Sequence, residues 1–207
     1  MPREVFEAVH AGRRAALRAE LAAAWPDAPS RLVLEIGCGN GHFLAAYAAA
    51  HPGQPCAGFD LRLDRVEKAR RKRDRAGLHH LQFFRCDAFD FLQELPAATR
   101  LADLFMLFPD PWPKKRHHKN RLLKPSFLDA LAARAGQGSR FFFRTDYRPY
   151  YDEAVAIVGT HRSWQLLPPG PFAFEHMTIF QARAPVFHSL AALYVPVPPA
   201  GHEGPAP

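Results

Sequence analysis

Between residues 32 and 159 the chain passes five times from a short apolar run to a longer stretch with helical spacing, and few architectures accept that order. The apolar runs fall at 32–36, 55–60, 81–86, 101–108 and 139–145, and the helix-like stretches at 42–50, 62–76, 88–94, 125–134 and 148–159. Strands that alternate with helices build βαβ units, in which the strands lie parallel and the helices cover both faces of the sheet. The expected fold class is therefore α/β, Rossmann-like, with a mostly parallel sheet of about seven strands. After the break Pro168-Pro-Gly-Pro171, the run Met177-Thr-Ile-Phe-Gln-Ala-Arg183 reads as a late strand that enters antiparallel. Ahead of the first strand, residues 3–24 read as an alanine- and arginine-rich helix, broken or bent near Gly12 and ended by Pro26 and Pro29.

The expected organisation is a helical segment over residues 1–30, one domain over 31–194 and a disordered Pro/Gly/Ala tail over 195–207. No apolar stretch approaches a bilayer span and no secretory signal opens the chain, so a cytoplasmic location is expected. Cys38, Cys56 and Cys86 are an odd number without a Cys-x-x-Cys pair, and His117-His118 has no partner at ligand spacing. Neither a disulfide framework nor a metal site is expected. A net charge of +7 points to an anionic partner, with nucleic acid first.

In such a sheet, ligands lie beyond the carboxyl ends of the strands, so the residues that follow each apolar run carry the functional reading. The first run leads into Glu35-Ile-Gly-Cys-Gly-Asn-Gly41. Glycines at 37, 39 and 41 let the backbone turn tightly and approach a ligand closely. A dinucleotide-binding fingerprint would place its third glycine at 42, where this chain has His42. The G-x-G-x-G loop behind an acid resembles instead the first motif of class I S-adenosylmethionine-dependent methyltransferases. Asp60 closes the second run, where an acid accepts ribose hydroxyls, and Asp87 closes the third, within reach of an adenine amino group. Either acid alone serves equally well as a helix N-cap.

The fourth run ends in Phe108-Pro-Asp-Pro-Trp-Pro-Lys-Lys-Arg-His-His-Lys-Asn-Arg121. Pro109, Pro111 and Pro113 exclude helix and sheet interior, so this stretch is a stiff, displayed loop. Its Asp110 can accept hydrogen bonds from a base, its Trp112 can stack on one, and Lys114, Lys115, Arg116, Lys119 and Arg121 can hold phosphates. The loop is similar to the signature of bacterial tRNA (guanine-N7-)-methyltransferases. Arg144-Thr-Asp-Tyr-Arg-Pro-Tyr150 resembles that family's T-D-x-x-P-Y motif, and Thr178-Ile-Phe-Gln181 its later T-x-F-E. The resemblance spans residues 32–183 and implies methyl transfer from S-adenosylmethionine to N7 of a variable-loop guanosine in tRNA.

Carried over by position, the resemblance assigns Glu35, Gly37, Gly39, Gly41, Asp60, Asp87, Ala88 and Asp110 to the cofactor. Asp110 also belongs to the reacting centre, and Lys114, Asp146, Thr178 and Gln181 face the guanosine. Two departures stand out: Asp60 replaces the family's usual Glu, and Gln181 replaces a Glu, with Glu175 six residues upstream as a substitute carboxylate. The second helix carries Arg62, Arg65, Lys68, Arg70, Arg71, Lys72, Arg73 and Arg75, a solvated face or an RNA contact. Two alternatives stay open: a methyltransferase for another RNA or a small molecule, and a tRNA-binding module weakened in catalysis.

Overall fold

The computed structural model describes residues 3–197 other than 173, 178 and 185. Its elements follow the order α1 (Arg3–Ala24), β1 (Arg31–Ile36), α2 (His42–Ala50), β2 (Cys56–Asp60), α3 (Leu63–Arg75), β3 (Leu81–Arg85), α4 (Ala88–Glu94) and β4 (Arg100–Leu107). A turn of 3-10 helix (Lys115–Asn120) is followed by α5 (Pro125–Ala132), β5 (Ala135–Thr145), α6 (Arg148–Gly159), β6 (Trp164–Leu166), α7 (Ile179–Arg183) and β7 (His188–Tyr194). The seven strands form one sheet in the order β3-β2-β1-β4-β5-β7-β6. The first five are parallel and β7 is antiparallel to both its neighbours. No helix among the described residues is long and apolar enough to cross a membrane.

Alternation along the strands divides the core between the two faces of the sheet. Leu32, Leu34 and Ile36 of β1 pack with Leu17 and Leu21 of α1, Phe91 of α4, Phe127 of α5 and Tyr150 of α6. Val33 faces the other way, with Phe43 and Leu44 of α2 and Val66 of α3. Phe83 of β3 packs closely on that second face. A Cβ added to Gly58 would lie 2.9 Å from both the Phe83 ring and Cys38 Cβ, so β2 has a glycine where the ring crosses it.

Two expectations need correction. The expected strand over 177–183 is replaced by a five-residue helix at Ile179–Arg183, and the strand that enters antiparallel is β7, between β5 and β6. A short apolar run does not distinguish these outcomes, whereas β7 shows the half-buried alternation of a strand, with Leu190 and Ala192 in the core. Nor does Gly12 break α1, which runs without interruption from Arg3 to Ala24. Burial of Leu17 and Leu21 offsets the propensity cost of one glycine. The tail expected over 195–207 lies outside the described residues from 198 onward.

The two glycines give predictions of opposite sign. Gly12 sits in a helix interior, and a methyl group added to it would meet no atom within 4 Å, so Gly12→Ala should stabilise the protein by about 0.5–1 kcal/mol. Gly58→Ala should destabilise it by about 1–3 kcal/mol through overpacking against Phe83. Urea unfolding of both variants checks the pair.

Candidate functional site

Because β1 lies between β2 and β4, the chain leaves β1 to one side and returns on the other. The loops that follow β1 and β4 start from adjacent parallel strands and diverge, and this is where an open α/β sheet holds its ligand.

The loop after β1 contains the expected glycines, all in the left-handed region: Gly37 at φ 70°, Gly39 at 52° and Gly41 at 66°. They do two different jobs. A Cβ on Gly41 would lie 2.7 Å from both Ala69 Cβ and the tip of Phe83, so this glycine lets α2 pack. Gly37 and Gly39 have no atom within 4 Å of that position and border open space, a cradle that side chains would fill. Asp60, at the end of β2, is buried and turned toward this loop. Its carboxylate accepts from Gly39 N–H at 3.1 Å and from Arg62 N–H at 2.9 Å, with Arg65 Nη1 at 3.6 Å. Each oxygen retains acceptor capacity beyond these bonds. Lys72 donates to the Asn40 carbonyl at 3.0 Å, so a cation of α3 holds the loop from the far side.

Glu35 lies in β1 directly before the loop and is buried, with Oε2 lacking a hydrogen-bond partner. Asn40 Oδ1, five residues on, is likewise unpaired. Buried polar atoms are normally paired, and two unpaired acceptors at one glycine loop suit a ligand bearing an ammonium or hydroxyl group. Burial pushes the Glu35 carboxyl up to about 8, against the opposing pull of the Leu44 amide and Lys72. It is therefore protonated at neutral pH.

The third strand end forms a different environment. Asp87 is the N-cap of α4 and accepts from Phe89 N–H at 2.8 Å, so the capping role holds. Ala88 opens that helix with its methyl buried in the core. Asp87 also lines a cavity of about 430 Å³ together with Leu61, Cys86 and Asp90. The opposite wall is α1, through His10, Arg13 and Leu17. Leu61 is 67% exposed, an apolar surface beside the acid. Sequence reasoning did not place α1 here. An amphipathic helix at the chain start carries no local signal of where it docks.

After β4 the backbone enters the proline-rich loop through Phe108, at φ 50°, and passes Trp112 at φ 44°. Each left-handed non-glycine residue costs about 1–2 kcal/mol, so other contacts must hold the loop. Arg121 supplies the main one, and here the structure corrects its expected phosphate role. Arg121 is 2% exposed, donates from Nε to the Pro111 carbonyl at 2.9 Å, pairs with Glu153 and lies 4.6 Å over the Tyr150 ring. It is an internal clamp. Lys114, Lys115, Arg116 and Lys119 are exposed, as is Asp110. The 3-10 turn was not expected after three prolines; it begins only beyond Pro113 and sets His117 edge-on to Trp112 at 5.9 Å.

At the end of β5, Asp146 is exposed and does not cap α6. The N-cap is Tyr147, whose N–H donates to Thr145 Oγ1 at 3.2 Å. Gln181, on α7, accepts from Arg144 Nη1 at 3.3 Å, while Thr178 lies outside the described residues. On α3, Arg70 donates to the Phe83 carbonyl and Arg73 to Gln82, while Arg62, at its N-cap, pairs with Asp64. With Lys72 and Arg65 already committed to the glycine loop and Asp60, much of that helix's charge is used within the protein.

A family model described as "Putative methyltransferase" matches residues 29–182. A tRNA (guanine-N(7)-)-methyltransferase of Nitrosococcus oceani is 34% identical over 152 residues, covering 73% of this chain and 64% of that protein. One from Treponema pallidum is 36% identical over 157 residues, covering 76% of this chain and 63% of its own length. The chain thus spans less than two thirds of the length of either. Among solved structures, the aminoglycoside resistance methyltransferase NpmB1 superposes with a TM-score of 0.57 over 86% of this chain and 93% of its own, at 17% identity. That likeness concerns the fold alone.

Two outcomes follow from the geometry. Glu35 has a folded pKa of about 8 against 4.5 in its ordinary state, so the folded protein keeps a proton that the unfolded chain loses. That contribution to stability is complete below pH 4.5 and declines as pH rises toward 8. The urea midpoint of the wild type should fall across that window, and Glu35→Gln should flatten the fall. Separately, Arg121→Met should cost about 2 kcal/mol, less than a fully buried pair because Glu153 is partly exposed, whereas Lys115→Ala should stay within about 0.5 kcal/mol. Equilibrium unfolding distinguishes the clamp from the displayed cation.

Proposed function

The chain belongs to the methyltransferase family whose model spans residues 29–182, and from that premise we propose that it transfers a methyl group from S-adenosylmethionine to N7 of a guanine in tRNA. The observation that carries this reading is the pairing of two loops across adjacent strands. The glycine cradle follows β1, and an exposed carboxylate, a half-buried indole and four exposed cations follow β4. The names of the relatives, tRNA (guanine-N(7)-)-methyltransferase, support tRNA as the substrate and guanine N7 as the position of methylation. A tRNA substrate also implies a cytoplasmic enzyme.

The residues present fit the cofactor. Gly37 and Gly39 leave room for close approach of a ligand to the main chain. Glu35 Oε2 and Asn40 Oδ1 are acceptors for the ammonium of its methionine moiety. Asp60 has acceptor capacity for ribose hydroxyls, and the cavity between Asp87, Leu61 and α1 offers an acid and an apolar wall to adenine. When bound, S-adenosylmethionine supplies an electrophilic methyl group on a sulfonium, whose sulfur departs as a neutral thioether.

Guanine N7 attacks with an in-plane lone pair and has no proton to lose, so the protein need not provide a strong base. It must provide position. Alignment of donor and acceptor is worth on the order of 7 kcal/mol of the barrier. In this reading Asp110 and Asp146 accept the imino and amino hydrogens of the guanine, and their charge offsets the positive charge that develops on the purine. Trp112 offers a stacking surface, while Lys114, Lys115, Arg116 and Lys119 hold backbone phosphates. Gln181 stands beside this end of the sheet through its contact with Arg144.

Methyl transfer from labelled S-adenosylmethionine to unmodified tRNA, followed by nucleoside analysis, tests the proposal. The expected product is 7-methylguanosine, with kcat/KM reduced roughly 100-fold or more by Asp110→Ala. Label in another nucleoside would reject the assigned position. Binding of both tRNA and cofactor without transfer would favour the catalytically weakened RNA-binding module.

A further inference from the structure

Arg144 is the second buried arginine at this end of the sheet, and its contacts differ in kind from those of Arg121. It occupies the next-to-last position of β5, in register with Leu107 of β4 on one side and Ser189 of β7 on the other. Its side chain is 4% exposed. Two aromatic rings lie against it, Phe172 at 4.3 Å and Phe187 at 4.6 Å. Around the edge, Nε donates to Ser189 Oγ at 2.9 Å, and Nη1 and Nη2 donate to the two carboxylate oxygens of Glu175 at 2.9 and 2.7 Å. Nη1 also reaches Gln181 Oε1 at 3.3 Å.

These contacts join two segments that the sequence keeps far apart. Phe172, Glu175, Gln181 and Phe187 belong to the connection between β6 and β7. The Arg144 carbonyl accepts from Phe108 N–H at 2.7 Å, and Phe187 meets Phe108 edge-on at 6.2 Å. Phe108 is the strained residue from which the Asp110 loop departs. One residue therefore fixes the base of that loop through its main chain and the β6–β7 connection through its side chain, two positions ahead of exposed Asp146.

We propose that Arg144 and Glu175 are positioning residues for the substrate guanosine: the ion pair locks the 172–187 connection against the root of the Asp110 loop, and the carboxylate needed there comes from Glu175 while position 181 contributes a neutral amide. This rests on the reading of the site as a guanine methyltransferase centre. A bidentate carboxylate on a guanidinium packed against two rings has a defined direction. Removing it leaves a buried cation without a counter-charge and frees the connection to move. Misplacement by about 1 Å at such a centre lowers turnover about 100-fold.

The contact of Arg144 with both 175 and 181 allows a rescue experiment. Glu175→Gln removes the carboxylate, and Glu175→Gln with Gln181→Glu returns one to the same guanidinium from the neighbouring position. Expected are a fall of about 10- to 100-fold in kcat/KM for tRNA in the single variant, unchanged S-adenosylhomocysteine affinity, and recovery of most of the loss in the double variant. Hydrogen exchange gives a second readout independent of activity. The single variant should exchange faster both in 172–187 and in 108–121, and the double variant should restore protection in both. A single variant with wild-type kcat/KM overturns the proposal, as does a loss that the double variant leaves unrescued or faster exchange confined to 172–187. If wild-type protein methylates no tRNA, the methyltransferase reading falls by itself, and the exchange pattern still decides whether the pair couples the two segments.

Discussion

With β1 in the middle of the sheet and the chain leaving it toward β2, the return as β4 opens a crevice at the carboxyl end of the β1–β4 pair. That crevice could not form if the strands were taken in simple order across the sheet. The glycine loop hangs from one wall, the Asp110 loop from the other, and Asp60, Asp87 and Asp146 end the strands on either side. The interior supports the arrangement by letting one ring, Phe83, cross the glycine of β2 and sit beneath Gly41. The position of the α2 amino terminus is thus set by a packing contact.

Buried cations do at the β4 side what packing does at the β1 side. A loop with two left-handed non-glycine residues and three prolines will not fold onto the sheet without external hold. The Arg121 guanidinium donates to the Pro111 carbonyl, and at the root the main-chain carbonyl of Arg144 accepts from Phe108 N–H while its guanidinium holds the β6–β7 connection. Both guanidiniums lie against aromatic rings, which solvate a delocalised cation better than aliphatic side chains do. The exposed lysines and Arg116 between them remain oriented outward, so the same loop is rigid where it meets the protein and charged where it meets solvent.

How far the sequence discloses this depends on the range of the interaction involved. The alternation of runs located five parallel strands and the helices between them to within a few residues, because burial on a sheet is a periodic, local property. The strand-end glycines and acids were equally legible, since topology puts them at one edge. The division of labour among the glycines was not, because Gly41 is distinguished from Gly37 only by Phe83, which comes from another strand. The fate of the arginines was also hidden. Arg121 finds Glu153 32 residues away and Arg144 finds Ser189 45 residues away, so in a linear reading a clamp and a phosphate contact are the same letter. Gln181 read as a departure from the family motif with Glu175 as a substitute carboxylate, but its contact with Arg144 was not visible in the sequence. The guanidinium that brings it beside Glu175 is distant in sequence.

The chemistry proposed for the site makes this rigidity intelligible. A reaction that must move a proton can be accelerated by tuning one pKa, and its signature would be a perturbed acid or base in the crevice. Methylation at a ring nitrogen with a free lone pair has no such proton. The strongly perturbed carboxyl near the crevice, Glu35, lies under the glycine loop, where burial keeps it neutral and a cationic moiety of the ligand would draw its charge out. In the proposed reading, the protein acts on the acceptor side by holding Asp110 and Asp146 toward the base. Those two carboxylates are exposed and sit on loops, the least constrained places in a fold. Two arginines buried directly behind them, each tied to main-chain carbonyls or to carboxylates from elsewhere in the chain, convert those loops into fixed geometry.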